Sequence, residues 1–398
     1  GGHSSRLRDG LVVAEIGVSL LLLGGAGLML KSLTTLLRQS PGFQAQNLLT
    51  FAVALPDASY KDDTAALAFE HRFSDAVRGL PGVQGIAGVS KLPVTGNGNT
   101  IRFVVEGRPA AQGQEDETNI RKVTADYFRV MRIPLVKGRF FDAEDRAGTP
   151  TKLIVNRAFA QRFFPGKDPV GKRMRFTYSA EQPFREIVGV VGDESADKLD
   201  APMPPILYAN FEQSVDSALY FVVRTSGNPE SHLLAAVSSV LASLDPEVPL
   251  IRPMPMERLI AQSESVFLRR YPSYLIACFA GLALILALIG LYGVISYAVE
   301  QRMREFGIRM ALGARREDVL WLAARKGMRL VVAGVAAGLL AAFLLTRLLA
   351  ALLFGVTPTD PFVLVGVTFL LALVAMMASY LPSRRATRVD PVVALRYE

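Results

Sequence analysis

Four apolar runs, each long enough to cross a bilayer, divide this chain into membrane and water-facing parts. Leu11 to Leu30 is apolar apart from Glu15, whereas Tyr271 to Val299, Leu330 to Thr346 and Phe362 to Leu381 carry no charge. A hydrocarbon core of about 30 Å needs roughly 20 apolar residues as helix, and lipid requires every backbone polar group to be satisfied within the segment. Each run is therefore expected to be a helix. The third should continue past Arg347 to Phe354, with Arg347 reaching toward the headgroups. Leu11–Leu30 exceeds the core of a secretory leader and no Ala-x-Ala site follows it, so it reads as a retained anchor.

Between the first two runs the apolar period keeps switching, which predicts a mixed α/β domain. Strands are expected at 48–55, 83–89, 101–106, 120–123, 152–155, 173–176, 185–191, 219–224 and 249–252. Helices are expected at 64–80, 125–130, 156–163 and 229–244, the first closed by Pro81-Gly82 and the last opened by Asn228 and Pro229. The pattern suggests two small α/β lobes around an irregular, β-rich insertion, the second a βαβ-like portion running from 185 to 252. Residues 256–270 are expected to form a helical stalk running into the second span.

Charge sets the orientation. Glu300 to Arg329 holds eight basic residues against four acidic ones, the tail has Arg384, Arg385, Arg388 and Arg396 against Asp390 and Glu398, and the start has Arg6 and Arg8 against Asp9. The turn between spans three and four, Gly355 to Pro361, has no basic residue. Because Lys and Arg are retained on the cytoplasmic side, the N-terminus, the basic hairpin and the tail are expected inside, and Lys31 to Arg270 outside. These three pieces supply seven of the eight net positive charges of the chain. The excess is thus topological, and it argues against nucleic acid as a partner.

The fold class expected is a membrane α-helical protein of four transmembrane helices with a large α/β extracytoplasmic domain inserted between helices one and two. Its parts are an N-terminus and first helix (1–38), the outer domain (39–264), a stalk and second helix (265–299), a cytoplasmic hairpin (300–326), the third helix (327–354), an outer turn (355–361), the fourth helix (362–381) and a cytoplasmic tail (382–398). The one cysteine, Cys278, lies in the second span, so the outer domain must fold without a disulfide. The chain opens Gly-Gly-His, without an initiator Met, which suggests a piece of a longer polypeptide.

Catalytic chemistry is not evident. His3, His71 and His232 have no partners at metal-ligand spacing, and each reads as an ordinary satisfied histidine; no metal site is expected. Asp62-Asp63 and Glu115-Asp116-Glu117 read as solvated loop carboxylates. No phosphate-cradling Gly-x-x-x-x-Gly-Lys-Ser/Thr loop occurs, so no enzymatic activity and no bound cofactor are expected. Small residues at Gly24, Gly25 and Gly27 and at Gly334 and Gly338 mark helix-packing faces, within one bundle or between two. Glu15, about one turn inside the membrane, is expected to reach back to the interface.

The hairpin Glu300-Gln-Arg-Met-Arg-Glu-Phe-Gly-Ile-Arg-Met-Ala-Leu-Gly-Ala314 resembles the segment after helix two of FtsX/MacB-type ABC transporter permeases. The ending from Leu381 to Glu398 is similar to that family's C-terminal signature, and Asp126–Arg139 and Phe164–Lys172 are similar to its periplasmic core domain. The resemblance covers essentially the whole chain, and the start, Leu11 to Ser32, looks most like the C-terminal half of a duplicated orphan permease.

The resemblance implies a permease subunit working by mechanotransmission in a bacterial inner membrane. A separate ABC ATPase, carrying the ATP and Mg, would push on the hairpin and so drive periplasmic movements for export or extraction of an amphipathic or hydrophobic substrate. The coupling residues it implies are Arg302, Arg304, Glu305, Phe306, Gly307, Arg309, Met310 and Gly313. On a helix, Arg302, Phe306, Arg309 and Gly313 share one face, which suits Phe306 as an apolar knob and the arginines as partners for acidic groups. A helix lying on anionic lipid is the other reading of that segment. Further partners implied are a second permease unit, either an upstream repeat or a homodimer, a periplasmic adaptor, and membrane lipid. The alternative function is an FtsX-like transmembrane regulator of a cell-wall hydrolase or sensor kinase.

Overall fold

The computed structural model describes residues 2–56, 58–96, 98–108, 113–178, 182–215, 218–227, 231–301, 316–350 and 353–386. It comprises two units, one of Gly1–Arg38 with Leu268–Glu398, the other of Gln39–Phe267. The first helix of the chain, α1 (Gly2–Arg38), belongs to the former.

The second unit carries a sheet of eleven strands in two lobes. One lobe is built from the two ends of the segment: β1 (Leu48–Ala54), α2 (Asp63–Arg78) and β2 (Val83–Val89), then β10 (Ala218–Thr225), α5 (Ser231–Leu244) and β11 (Leu250–Pro255). Their order is β11-β1-β10-β2, with β10 antiparallel to both β1 and β2 and β11 antiparallel to β1. Each βαβ unit is thus split by a strand of the other, a ferredoxin-like arrangement. Alternation explains the layering: Leu49, Phe51 and Val53 of β1 face Phe69, Phe73 and Val77 of α2 in one core with Phe221, Val237 and Leu241. Asp62 caps α2, its carboxylate accepting from the Ala65 amide at 2.8 Å.

The other lobe is inserted between β2 and β10. It contains β3 (Asn99–Val105), β4 (Asp116–Val123), α3 (Tyr127–Met131), β5 (Leu135–Gly138), β6 (Lys152–Asn156), α4 (Arg157–Phe163), β7 (Arg173–Phe176), β8 (Arg185–Val191) and β9 (Ile206–Asn210). Phe103, Leu153, Phe159, Phe163, Ile187 and Leu207 form its core. A single residue pair, Val89 with Val123, joins the lobes through β2 and β4, supported by amide bonds from Ser90 to Lys122 O (2.9 Å) and from Thr124 to Gly88 O (3.0 Å).

Several expectations need correction. The strand at 185–191 does not share a βαβ portion with 219–224; β8 lies in the inserted lobe, paired with β5, β6 and β7. β5 and β9 were not expected. The latter is fully buried, parallel to β4 and antiparallel to β6, so it shows a continuous apolar run with no alternation for the pattern to reveal. The 125–130 helix is the single turn of α3, ended by Arg132 in the left-handed region at φ 57°. For α5 the structure begins at Ser231, and the Asn228 and Pro229 capping residues lie outside the described residues. The stalk is not one helix. It is α6 (Met256–Ala261), a break at Gln262-Ser263, and α7 (Glu264–Glu300), where the Ser263 carbonyl accepts from the Val266 and Phe267 amides to start a new helix.

The first unit holds α1 and most of α7 together with α8 (Arg316–Ala350) and α9 (Pro361–Ala386). All four helices have the length and apolarity of membrane spans. Val12, Ile16, Ala287, Leu291, Ile295, Val331 and Ala375 form their shared core. Outward, Phe279, Ile285, Leu340, Phe343, Phe369 and Met377 are exposed, an apolar surface far too extensive for water.

Candidate functional site

The hairpin residues Arg302, Arg304, Glu305, Phe306, Gly307, Arg309, Met310 and Gly313 lie outside the described residues; their flanks do not. α7 ends at Glu300, the amide of the next residue, Gln301, donates to Tyr297 O at 3.1 Å, and α8 begins at Arg316. Arg8, near the start of α1, places its guanidinium over the Tyr297 ring at 4.0 Å. The basic N-terminus and the C-terminal end of α7 therefore lie at the same end of the helix bundle. At the opposite end of α1, Lys31 pairs with Asp360, Ser32 Oγ accepts from the Phe354 amide at 2.7 Å, and Gly355 closes on Thr35. The turn without basic residues thus caps the other end.

Small residues draw α1 and α8 together. A Cβ on Gly338 would meet Gly17 O at 2.9 Å and Leu20 Cβ at 3.0 Å, and one on Gly334 would meet Ile16 Cβ at 2.7 Å. Gly17, which the sequence reading did not single out, is their counterpart on α1. A Cβ on Gly27 would meet Val363 of α9 at 2.8 Å, one on Gly25 would lie 3.9 Å from Ile276 of α7, and one on Gly24 would meet nothing within 4 Å. Glu15 does not reach back to an interface. One carboxylate oxygen is buried without a hydrogen-bond partner, against Gly290 of α7, where any side chain would collide with it.

In the second unit, polar groups bind the lead-in from α1 to the sheet. The Arg224 guanidinium on β10 donates to three carbonyls: Gln44 at 2.8 Å, Gln46 at 3.0 Å and Val130 at 2.5 Å. Among the described residues no carboxylate pairs with it, and burial, helped by nearby Arg132, lowers its pKa to about 10. The Gln44 amide donates to Met131 O (3.1 Å) and the Ser195 amide to Pro41 O (2.8 Å). Gly42, at φ +90°, lies against the backbone of Asp193 and Glu194, leaving no room for a side chain.

Beside this lies a fully buried ionic cluster. Glu194 pairs with Arg121 on β4 and accepts from Tyr208 OH at 2.8 Å and Tyr127 OH at 2.9 Å. Burial, then the Glu194 charge, pushes both tyrosines well above the usual phenol range. Through these bonds the cluster ties α3, β4 and β9 together. Sequence reasoning missed these residues because a charge on a strand looks solvated until its neighbours are known.

The remaining candidates are accounted for locally. His71 Nε2 meets Glu212 Oε1 at 2.5 Å; burial opposes protonation, but the Glu212 bond and charge leave the imidazole above its usual range. Asp116 pairs with Arg108 at 2.8 Å and Glu117 accepts from Thr100 at 2.5 Å. Among the described residues no His, Cys, Asp or Glu group could hold a metal.

Residues 18–246 match the family model described as MacB-like periplasmic core domain, and residues 277–391 match the FtsX-like permease C-terminal model. The chain belongs to the FtsX/MacB-type permease family. It is 26% identical over 365 residues to a macrolide export ATP-binding/permease protein MacB of Azoarcus sp., covering 88% of this chain and 51% of that protein. A pyoverdine export ATP-binding/permease protein PvdT of Pseudomonas syringae pv. tomato is 24% identical over 319 residues, 77% of this chain and 46% of that one. The chain therefore spans about half the length of the curated relatives it matches. Among solved structures, the periplasmic region of MacB from Actinobacillus actinomycetemcomitans is similar at 15% identity, with 56% of this chain and 95% of that one covered and a TM-score of 0.37. The extracellular domain of the ABC-type transporter YknZ, from Gram-positive bacteria, is similar at 13% identity, covering 51% of this chain and all of that domain, with a TM-score of 0.33. This is a membrane permease of the ABC transporter type with a MacB-like periplasmic core domain.

Proposed function

We propose that this permease works by mechanotransmission, coupling a separate ABC ATPase at the hairpin to movements of Gln39–Phe267 on the far side of a bacterial inner membrane. The observation that carries the reading is the segregation of charge along the bundle: Arg8 meets the hairpin end of α7, and the turn without basic residues closes the opposite end. Positive residues held on one side put the lever where a soluble ATPase can reach it. α7 then runs as one helix from Glu264 to Glu300, joining the outer unit covalently to that lever. The cargo is an amphipathic or hydrophobic molecule, in keeping with relatives named for export of macrolides and pyoverdine. None of these names favours the signalling alternative.

An ATPase pair has two sites that close together, so two permease units are expected to face one another, whether from one chain or two, with a periplasmic adaptor outside. Reconstitution with a candidate partner ABC ATPase is the test. ATP hydrolysis should rise severalfold when the permease is added to the same vesicles, and an ATPase indifferent to it would count against coupling.

A further inference from the structure

On the face of the first lobe away from α2 and α5 lies a cleft of about 630 Å³. Its floor is β1, β10 and β11, and its walls are the loop after β2 and the break between α6 and α7. That volume falls in the range of small-molecule sites.

Two buried polar atoms on its lining have no partner: Asp197 Oδ1 and Ser263 Oγ. Buried carboxylate oxygens and hydroxyls are nearly always hydrogen-bonded, so an orphaned pair in one cavity calls for a donor from outside the chain. On the same lining stand Lys91 and Arg252, neither of which is ion-paired with a carboxylate among the described residues, whereas Glu264 is engaged by Lys198 at 3.2 Å. A metal would find a single free carboxylate and neither His nor Cys on this lining, too few ligands to hold it. A simple anion would suit the two cations but leave Asp197 and Ser263 unsatisfied. Apolar surface comes from Leu92, Val94, Leu259 and Met254.

Backbone strain marks the same place. Val94 (φ 64°) and Arg252 (φ 46°) occupy the left-handed region and both line the cleft. That conformation is an outlier for a β-branched residue. At Val94 it is held by the amide bond to Ala196 O at 2.8 Å, which sets Asp197 beside the loop. Strain of this kind gathers where a wall must be shaped for a ligand.

We propose that this cleft binds a zwitterionic amphiphile, with a primary ammonium donating to Asp197 and Ser263, an acidic group between Lys91 and Arg252, and an apolar body against Leu92, Val94, Leu259 and Met254. Binding is independent of the ATPase; only the further step, that the occupant is the transported cargo, rests on the permease reading. The probe is the dipeptide Leu-Leu, titrated by calorimetry into the full chain in phosphatidylcholine nanodiscs, whose lipid has no N–H donor, with empty nanodiscs subtracted. N-acetyl-Leu-Leu removes the ammonium and Leu-Leu amide removes the carboxylate, both without touching the protein. Saturable binding of Leu-Leu, weakened about tenfold by either block, is expected. Asp197→Asn should weaken Leu-Leu while leaving N-acetyl-Leu-Leu unchanged, and Lys91→Met should do the converse with the amide, at unaltered melting temperature. Equal binding of all three probes, or no saturable heat from any, overturns the proposal. Since no ATPase is present, neither result bears on coupling.

Discussion

Arg224 holds three backbone carbonyls with one guanidinium. Arg224→Met leaves the buried Val130 carbonyl without its donor, whereas the carbonyls of Gln44 and Gln46 belong to exposed residues that water reaches. At ~1–3 kcal/mol for the orphaned buried group, a loss of that order is expected, read as a lower melting temperature of the full chain. Arg224→Lys should recover only part of it, because an ammonium cannot present the planar fork. A melt within error of the wild type would show that the lead-in segment is not held this way. The His71–Glu212 contact makes a prediction of definite sign. A raised imidazole pKa means that its contribution is complete below the unfolded value of 6.5 and is lost as pH rises through the folded value. Glu70, raised by burial, acts in the same direction. Thermal stability should therefore fall with rising pH across this window, and Glu212→Gln should flatten the fall; an unchanged profile would remove the contact from the stability of α2.

At the level of elements, the close approach of α1 and α8 is set by Gly17, Gly334 and Gly338. Gly338→Leu would drive its side chain into Gly17 and Leu20, so the helices must separate and the melting temperature should drop. A Cβ on Gly24 would meet nothing within 4 Å, so Gly24→Ala should leave the melt of the chain unchanged; a drop matching that of Gly338→Leu would show that the space beside Gly24 is closed. Much at this scale was legible: β2, β7 and β8 lie within the bounds the sequence pattern suggested, and four helices long and apolar enough to cross a membrane followed from the lengths of the apolar runs. What was not legible is instructive. β9 is central to its lobe, yet its five buried residues follow Pro202, Pro204 and Pro205, which mask a strand as a loop. Local pattern cannot say that β10 inserts between β1 and β2, because that pairing joins residues more than a hundred positions apart. Nor could the α6–α7 break be foreseen, since Gln262-Ser263 is compatible with a continuous helix.

For the whole molecule, the hairpin and tail motifs identified the family, while cleft, clamp and buried ion pair emerged only from the fold. Topology is the first check at this scale. In a Cys278→Ser background, cysteines at Ser59 and Ser226 should react with an impermeant thiol reagent from outside, and cysteines at Ala314 and Ala386 should not. Labelling of position 314 in intact spheroplasts would reverse the orientation and remove the lever from the ATPase's side. The central claim, that work done by an ATPase enters through the hairpin, rests most sharply on Phe306. Phe306→Asp places a charge where an apolar knob is required, without altering either flanking span. The measurement is ATP hydrolysis by the partner ATPase in vesicles holding equal, correctly inserted amounts of wild-type or Phe306→Asp permease. Stimulation should be abolished by the substitution; stimulation that survives it would make the segment a lipid-surface anchor and contradict mechanical coupling.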